Sequence, residues 1–302
     1  MKKTKAFIDI GSNSLTLLIV EYEKRNLLSF KTIYRKSVTT NLAKFSNQTQ
    51  CFYQPGVSLI ESELLDFCNK CAHYGILPQS ITAVATAISR NLPVQAKSTF
   101  LNFKLNTGID VKVISSNEEA RLSKLSLEYF LLSELKRDDK FVCYDQGGAS
   151  TEFSIVNTDY SLSIPFGAYT WNESLMKLQD ASSIEKFLKS NCMLCTFGIV
   201  NNIVQILNSK DFTVIENEIS VHGHEVVFCE ENIAKLHALR LQSQEKEFVT
   251  SHYPFLGKRA DCFHQALSLL TYLVTEFSPK SLICTNLGLV EGLAIDQLPK
   301  WK

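Results

Sequence analysis

The sequence predicts an α/β chain built as two similar halves. Two stretches carry most of that expectation: AFIDIGSNSLTLLIV at 6–20 and FVCYDQGGASTEFS at 141–154. Each is an apolar run that delivers an aspartate, then a Gly/Ser turn, then a second apolar run. After each of them, short β-rich runs alternate with segments of helical periodicity, the pattern of layered sheets and helices. The chain has 302 residues, 45% hydrophobic and 21% charged. That is ordinary globular composition, and the length suits about two domains.

Residues 5–10 and 15–22 read as strands joined by the polar turn GSNS, and a third strand around 28–34 extends the meander. Residues 57–74 have helical spacing and stop at a glycine. Residues 80–90 read as a buried strand ending in a polar loop. VQAKSTFLNFKLNTG (94–108) is a helix closed by glycine, and IDVKVIS (109–115) is a strand. Residues 116–135 form a long helix, with Ser116 as N-cap and Glu119 three residues on, a capping-box pattern. The pattern then restarts. Residues 140–158 are strand–turn–strand, 160–171 a third strand, 183–191 a helix, 192–198 a strand and 201–210 a helix. A polar, charge-rich segment covers 209–247, followed by a helix at 261–277, a strand at 280–286 and a closing helix at 288–296. The chain is therefore two βββ–α–β–α halves, a repeat of architecture more than of identity. The boundary falls near 122, giving domains 1–122 and 123–302.

Formal net charge is zero, so no global basic field advertises a nucleic-acid partner. No run of eighteen or more apolar residues exists to span a membrane. The start resembles a signal peptide, but Asp9, Ser12, Asn13 and Ser14 interrupt it and no small-residue cleavage site follows. The expectation is a cytoplasmic protein. The nine cysteines then read as reduced, partly buried small hydrophobes. Two CxxC spacings, Cys68–Cys71 and Cys192–Cys195, would make a zinc site only by meeting in space. In VHGHE, His222, His224 and Glu225 alternate along what reads as a surface strand rather than a metal site.

DIGSNS (9–14) and DQGGAS (145–150) carry the chemistry. A tight Gly/Ser turn between paired strands points successive backbone N–H groups at one spot, a nest for phosphate oxygens. The leading aspartate repels phosphate, and it makes sense as a holder of a divalent cation that bridges to phosphate. Two such turns would grip a phosphate chain from both sides.

These turns resemble the phosphate loops of the actin-like ATPase superfamily. AFIDIGSNS, ATAISRN, VISSNEEARL, YDQGGASTEFSI and SIPFGAYTWNESL stand in the order and spacing of the Ppx/GppA (exopolyphosphatase / guanosine pentaphosphate phosphohydrolase) family, in its short two-domain form. The resemblance covers nearly the whole chain. It implies an α/β fold of two actin-like (ribonuclease H-like) domains flanking an interdomain active-site cleft. It further implies a Mg²⁺-dependent phosphohydrolase that cuts the terminal phosphate from inorganic polyphosphate or from the stringent-response alarmone guanosine pentaphosphate, and a homodimer. Glu119, Asp145 and Glu152 match the catalytic positions. Gly11, Ser12, Asn13 and Ser14, with Gly147, Gly148 and Ser150, match the substrate-binding turns. Thr86 and Arg90 match a T-x-x-x-R phosphate contact, and Asp9 and Asp145 match the metal-binding aspartates. Glu119 would take a proton from the attacking water, and Arg90 would fork onto phosphate oxygens.

The sequence departs from the family pattern at Ala149, at Cys195 and Ile199 of CTFGI, and at Val290 of TNLGLVEG. Side chains at 195 and 199 would crowd a loop that is usually G-x-x-G-T. Those losses suit either altered substrate preference or a weakened member that binds a phosphate chain as a sensor. An actin-like small-molecule kinase is a third reading, against which the EEAR element speaks.

Overall fold

The computed structural model describes residues 2–23, 26–44, 50–137, 140–173, 184–188, 192–209 and 214–298. Contacts divide the chain into two units, 1–125 with 289–302, and 126–288. Each unit is a mixed sheet layered with helices.

In the first unit, β1 (Lys2–Ile10), β2 (Ser14–Glu23) and β3 (Asn26–Thr39) form an antiparallel meander. The chain crosses through helix α1 (Gln54–Ala72) to β4 (Thr82–Ala85), then through α2 (Ala87–Asn91) and α3 (Pro93–Thr107) to β5 (Val111–Val113). The sheet order is β3-β2-β1-β4-β5, with β1, β4 and β5 parallel. Strand β1 is flanked on both sides, so Ala6, Phe7, Ile8 and Ile10 are all buried, as a central strand requires. Helix α1 buries Ile60, Leu64, Phe67 and Cys71, one helical stripe. Helix α3 ends on Gly108 in the left-handed conformation, the expected glycine stop.

The second unit repeats the plan. Helix α4 (Ser116–Tyr129) starts in the first unit and ends in the second. It passes into a short π-helical turn at Phe130–Glu134. Then come β6 (Phe141–Gln146), β7 (Thr151–Ile155), β8 (Ser161–Ile164), β9 (Met193–Thr196), helix α5 (Ile199–Leu207), β10 (Glu225–Val227), and helices α6 (Glu230–Gln242), α7 (Lys246–His252) and α8 (Ala260–Phe277), ending with β11 (Ser281–Cys284). The order is β10-β11-β9-β6-β7-β8, with β6, β9 and β11 parallel. Strands β8-β7-β6-β9-β11 match β3-β2-β1-β4-β5 in order and direction, and β10 is an added antiparallel edge. Tyr144, Phe153, Leu194 and Leu282 of the sheet pack with Ile203 and Val204 of α5 and Phe263, Leu267 and Leu270 of α8.

Four elements differ from the expectations. The run 80–90 splits, because Thr86 leaves the strand and its carbonyl accepts from Ser89 N–H, opening α2. The segment 209–247 holds β10 and α6 among its described residues. Of the helix expected at 183–191, residues 184–188 are described, and there Phe187 and Leu188 N–H both donate to the Ile184 carbonyl in a single helical turn. The closing helix α9 (Leu289–Gln297) groups with the first unit rather than with 123–288. Its Leu289, Val290, Leu293 and Ala294 bury against Phe7, Leu18, Val20, Val84 and Leu122.

Helix α9 approaches α4 closely at Gly292, where a Cβ would lie 1.9 Å from the Leu122 carbonyl oxygen. Gly292→Ala is expected to lower unfolding free energy by about 1–3 kcal/mol through overpacking. A denaturant melt with an unchanged midpoint would contradict this contact.

Candidate active site

The first turn sits where parallel strands end. Thr86 N–H donates to Ile10 O at 3.2 Å, and Ile114 N–H to Ala85 O at 3.0 Å, so the ladder runs past β1, β4 and β5. Gly11, Thr86 and Ile114 thereby stand side by side at the carboxyl ends of three strands, the usual ligand edge of an α/β sheet. The turn is closed by Gly11 N–H donating to Ser14 O at 2.8 Å. A strap after β3 donates back to it: Thr40 N–H to Asn13 O (2.8 Å), Asn41 N–H to the same oxygen (3.1 Å) and Ala43 N–H to Ser12 O (2.8 Å). Ser12 is buried, and its Oγ accepts from Ile88 N–H of α2 at 3.2 Å. Asp9 lies opposite Thr16 across the hairpin.

Helix α4 brings Glu119 to this place. Its cap is Ser115, whose Oγ accepts from Glu118 N–H at 3.2 Å, and Ser116 is the first helical residue rather than the cap. The one-residue shift puts Glu118 at the third helical position, where it binds Arg121 at 2.8 Å. Glu119 turns inward instead. Its Oε2 accepts from Arg90 Nη1 at 2.6 Å, and Arg90 Nη1 also donates to Ile114 O at 3.1 Å. Thr86 gives Glu119 a further hydrogen bond. Burial pushes the Glu119 carboxyl above its ordinary value, and the opposing pull of Arg90 and Thr86 offsets only part of that. Arg90, expected on phosphate, therefore also holds the carboxylate. The first unit thus gathers Asp9, Gly11, Ser12, Asn13, Ser14, Thr86, Arg90 and Glu119 into one neighbourhood.

In the second unit the hairpin recurs position for position. Gly147 N–H donates to Ser150 O at 3.0 Å, as Gly11 does to Ser14. A Cβ at Gly11 or Gly147 would press on that same serine oxygen, at 3.3 and 3.0 Å. Asp145 pairs directly with Glu152 across the strands, so both carboxylates share a face, and both are buried. Glu152 Oε1 accepts from Ser150 Oγ (2.7 Å) and Ser163 Oγ (2.9 Å). Gln146, in the place of Ile10, is buried and satisfied: it accepts from Tyr144 Oη at 2.7 Å and donates to Ala266 O at 3.2 Å. A strap follows β8, with Ala168 N–H on Gly147 O (2.9 Å) and Tyr169 N–H on Gly148 O (2.8 Å). Ser163 and both straps were missed from sequence. Ser163 lies in the quoted SIPFGAYTW motif, but only the fold shows what it touches.

With this geometry in hand, the comparisons with known proteins decide the family. Residues 5–191 match the family model described as the Ppx/GppA phosphatase family. The chain belongs to the Ppx/GppA phosphatase family. A bifunctional 3-dehydroquinate synthase/phosphatase of Fusobacterium nucleatum is 29% identical over 158 residues, covering 51% of this chain and 23% of that protein. The chain thus matches about a quarter of that relative's length. An exopolyphosphatase from Cytophaga hutchinsonii superposes with a TM-score of 0.79 at 16% identity, covering 98% of this chain and 99% of the other. The Aquifex aeolicus Ppx/GppA family member gives 0.68 at 19% identity, covering 98% of each. The fold is therefore the actin-like α/β fold of two-domain Ppx/GppA proteins.

In this Ppx/GppA member the departures from the family pattern resolve mainly into core. Cys195 is not a pocket residue: it is fully buried in β9, paired with Cys143 and packed with Phe130, Phe141 and Ile283. Ile199 and Val290 are also core. Gly198 keeps a positive φ of 74° at the start of α5. Cys68, Cys71, Cys192 and Cys195, the four of the two CxxC spacings, are free thiols. Burial pushes the Cys71 thiol up to about 12 and the Cys192 thiol to about 11. His222 and His224 do not alternate on a strand, because Gly223 turns the chain at φ 79° and β10 starts only at Glu225. His222 instead accepts from Asn286 N–H at Nδ1 (3.0 Å) and places Nε2 2.7 Å from Glu134 Oε2.

The Arg90–Glu119 contact sets a pH dependence. A chemistry that needs ionised Glu119 falls as pH drops through its raised pKa, so the acid limb lies above the ordinary 4.5. Arg90 favours the ionised form, so Arg90→Ala should move that limb to still higher pH, while Arg90→Lys keeps it near wild type. An acid limb that stays in place in Arg90→Ala would show that the pair does not control the group.

Proposed function

We propose that this chain is a Mg²⁺-dependent phosphohydrolase that releases the terminal phosphate of inorganic polyphosphate or guanosine pentaphosphate. The observation that carries the reading is Glu119. It is a buried carboxylate of raised proton affinity at the carboxyl ends of three parallel strands, beside a turn whose carbonyls are drawn off by a strap. A water oxygen attacks the terminal phosphorus and Glu119 takes its proton. The bond to the bridging oxygen breaks, and the shortened chain leaves with the electron pair. Arg90, with a guanidinium fixed on Ile114 O and Glu119, orients that carboxylate and adds positive charge for the phosphate. The turn residues Gly11 to Ser14 and Gly147 to Ser150 supply backbone and hydroxyl donors.

The donors present fit Mg²⁺. Asp145 faces Glu152 directly, and two buried carboxylates so placed repel unless a cation or donors offset them. Asp9 holds the corresponding place in the first hairpin. Mg²⁺ takes hard oxygen ligands, one or two carboxylates with waters and phosphates. When bound, the ion neutralises charge on the phosphate oxygens.

No helix among the described residues is long and apolar enough to cross a membrane. Cys68, Cys71, Cys192, Cys195, Cys229, Cys262 and Cys284 stand outside any disulfide, which accords with a reducing compartment, the cytoplasm. Zero net charge favours a short phosphate chain over a long polyanion.

The test is phosphate release by the purified chain with Mg²⁺ from tripolyphosphate, long polyphosphate and guanosine pentaphosphate. Glu119→Gln should lower the rate about a hundredfold or more, the worth of a positioned general base. Equal rates in the variant would remove Glu119 from the chemistry. Phosphate-chain binding without release would leave a sensor.

A further inference from the structure

The turn after β8 touches the first three carbonyls of the second loop. Ala168 N–H donates to Gly147 O (2.9 Å), Tyr169 N–H to Gly148 O (2.8 Å) and Thr170 Oγ1 to Ala149 O (3.4 Å). Three consecutive carbonyls thus face the strap. Among the described residues, no backbone carbonyl accepts from the N–H groups of Gly148, Ala149 or Ser150. A peptide's N–H and C=O point in opposite directions, so drawing the carbonyls one way sends the donors the other.

The strap is rigid for physical reasons. Thr151 Oγ1 donates to Phe166 O at 2.6 Å, pinning its start. Trp171 N–H donates to Gly167 O at 2.9 Å, closing the turn. Phe166 meets Trp171 edge-on at 6.2 Å, and Trp171 lies 5.3 Å from Tyr272 of α8. Gly167 lets strap and loop touch: a Cβ there would stand 2.5 Å from Gly147 O and 2.7 Å from Ala149 N. Thr170 joins the two, since its Oγ1 accepts from Gly167 N–H at 2.8 Å and donates to Ala149 O.

We propose that the Gly167–Trp171 turn is the positioning element of the second phosphate-binding loop, with the Thr170 hydroxyl as its adjustable link. This rests on the phosphohydrolase reading for its ligand, a phosphate chain, but not for its geometry. Thr170 is a positioning residue: it acts on Ala149, and Ala149 with its neighbours meets the ligand. The first loop is strapped from behind as well, by Thr40, Asn41 and Ala43, with Asn41 in the left-handed conformation (φ 53°) and no glycine. The sequence therefore tunes the two turns independently.

The experiment titrates tripolyphosphate into ¹⁵N-labelled full-length chain, wild type, Thr170→Ser and Thr170→Val, following backbone amides, with melting temperature and steady-state kinetics measured beside it. In wild type and Thr170→Ser, the amides of Gly148, Ala149 and Ser150 should shift together and saturate alike. In Thr170→Val, saturation should need about tenfold more ligand, the scale of one lost hydrogen bond with its loop consequences. KM should rise by a similar factor with melting temperature unchanged. A Thr170→Val protein that binds as wild type would overturn the proposal. So would a Thr170→Ser protein as weak as Thr170→Val, which would assign the effect to packing. Thr170→Ala, smaller than either, guards against a valine that disturbs folding. If the amides respond as expected but no variant releases phosphate, the hydrolase reading fails and the strap stands.

Discussion

Everything in this fold that bears on chemistry hangs on one backbone hydrogen bond made twice. In each unit a glycine N–H donates to a serine carbonyl three residues on, Gly11 to Ser14 and Gly147 to Ser150. That bond closes a hairpin at the carboxyl end of a buried central strand. Closing it so tightly leaves the turn's remaining carbonyls without hairpin partners, and buried carbonyls need them. Both units answer in the same way, by bending the chain after the third strand back over the turn. The result is a loop whose acceptors are occupied on one side and whose donors gather on the other, the condition for binding an oxyanion.

Around that constraint the two units diverge. The first adds Glu119 and Arg90, placed by a helix capped at Ser115 and by a short helix that starts just after Thr86. The pair balances two opposed effects. Burial favours a neutral carboxyl, and the guanidinium favours an ionised one. A proton affinity above that of a solvated glutamate suits a group that must gain a proton from water and lose it again. The second unit adds Asp145, Glu152, Ser150 and Ser163, an acid-rich, hydroxyl-supported face better suited to a cation than to an anion alone.

The sequence showed the hairpins because their grammar is local: an apolar strand, an aspartate, glycine and serine, another strand. The Gly108 stop and the helix holding Glu119 were legible for the same reason. What it hid was non-local. Nothing in SIPFGAYTW says that its backbone reaches Gly147 and Gly148, because backbone donors leave no residue signature beyond Gly167. The move of α9 to the first unit depends on Gly292 fitting under Leu122. Cys195 looked like an intruder in a pocket because a motif was read without its strand, and the register with Cys143 makes it core. The Ser115/Ser116 choice turned on a single residue, within the ordinary slack of helix ends.

The measurement that tests the account most directly is the fate of solvent oxygen. Tripolyphosphate is incubated with the chain and Mg²⁺ in heavy-oxygen water, and the released phosphate is weighed by mass spectrometry. Water attack places one solvent oxygen in the liberated terminal phosphate. In Glu119→Gln that labelled product is expected to disappear while the loop amides still respond to the ligand. Phosphate released without solvent oxygen, or label persisting unchanged in Glu119→Gln, would contradict water attack assisted by this carboxylate.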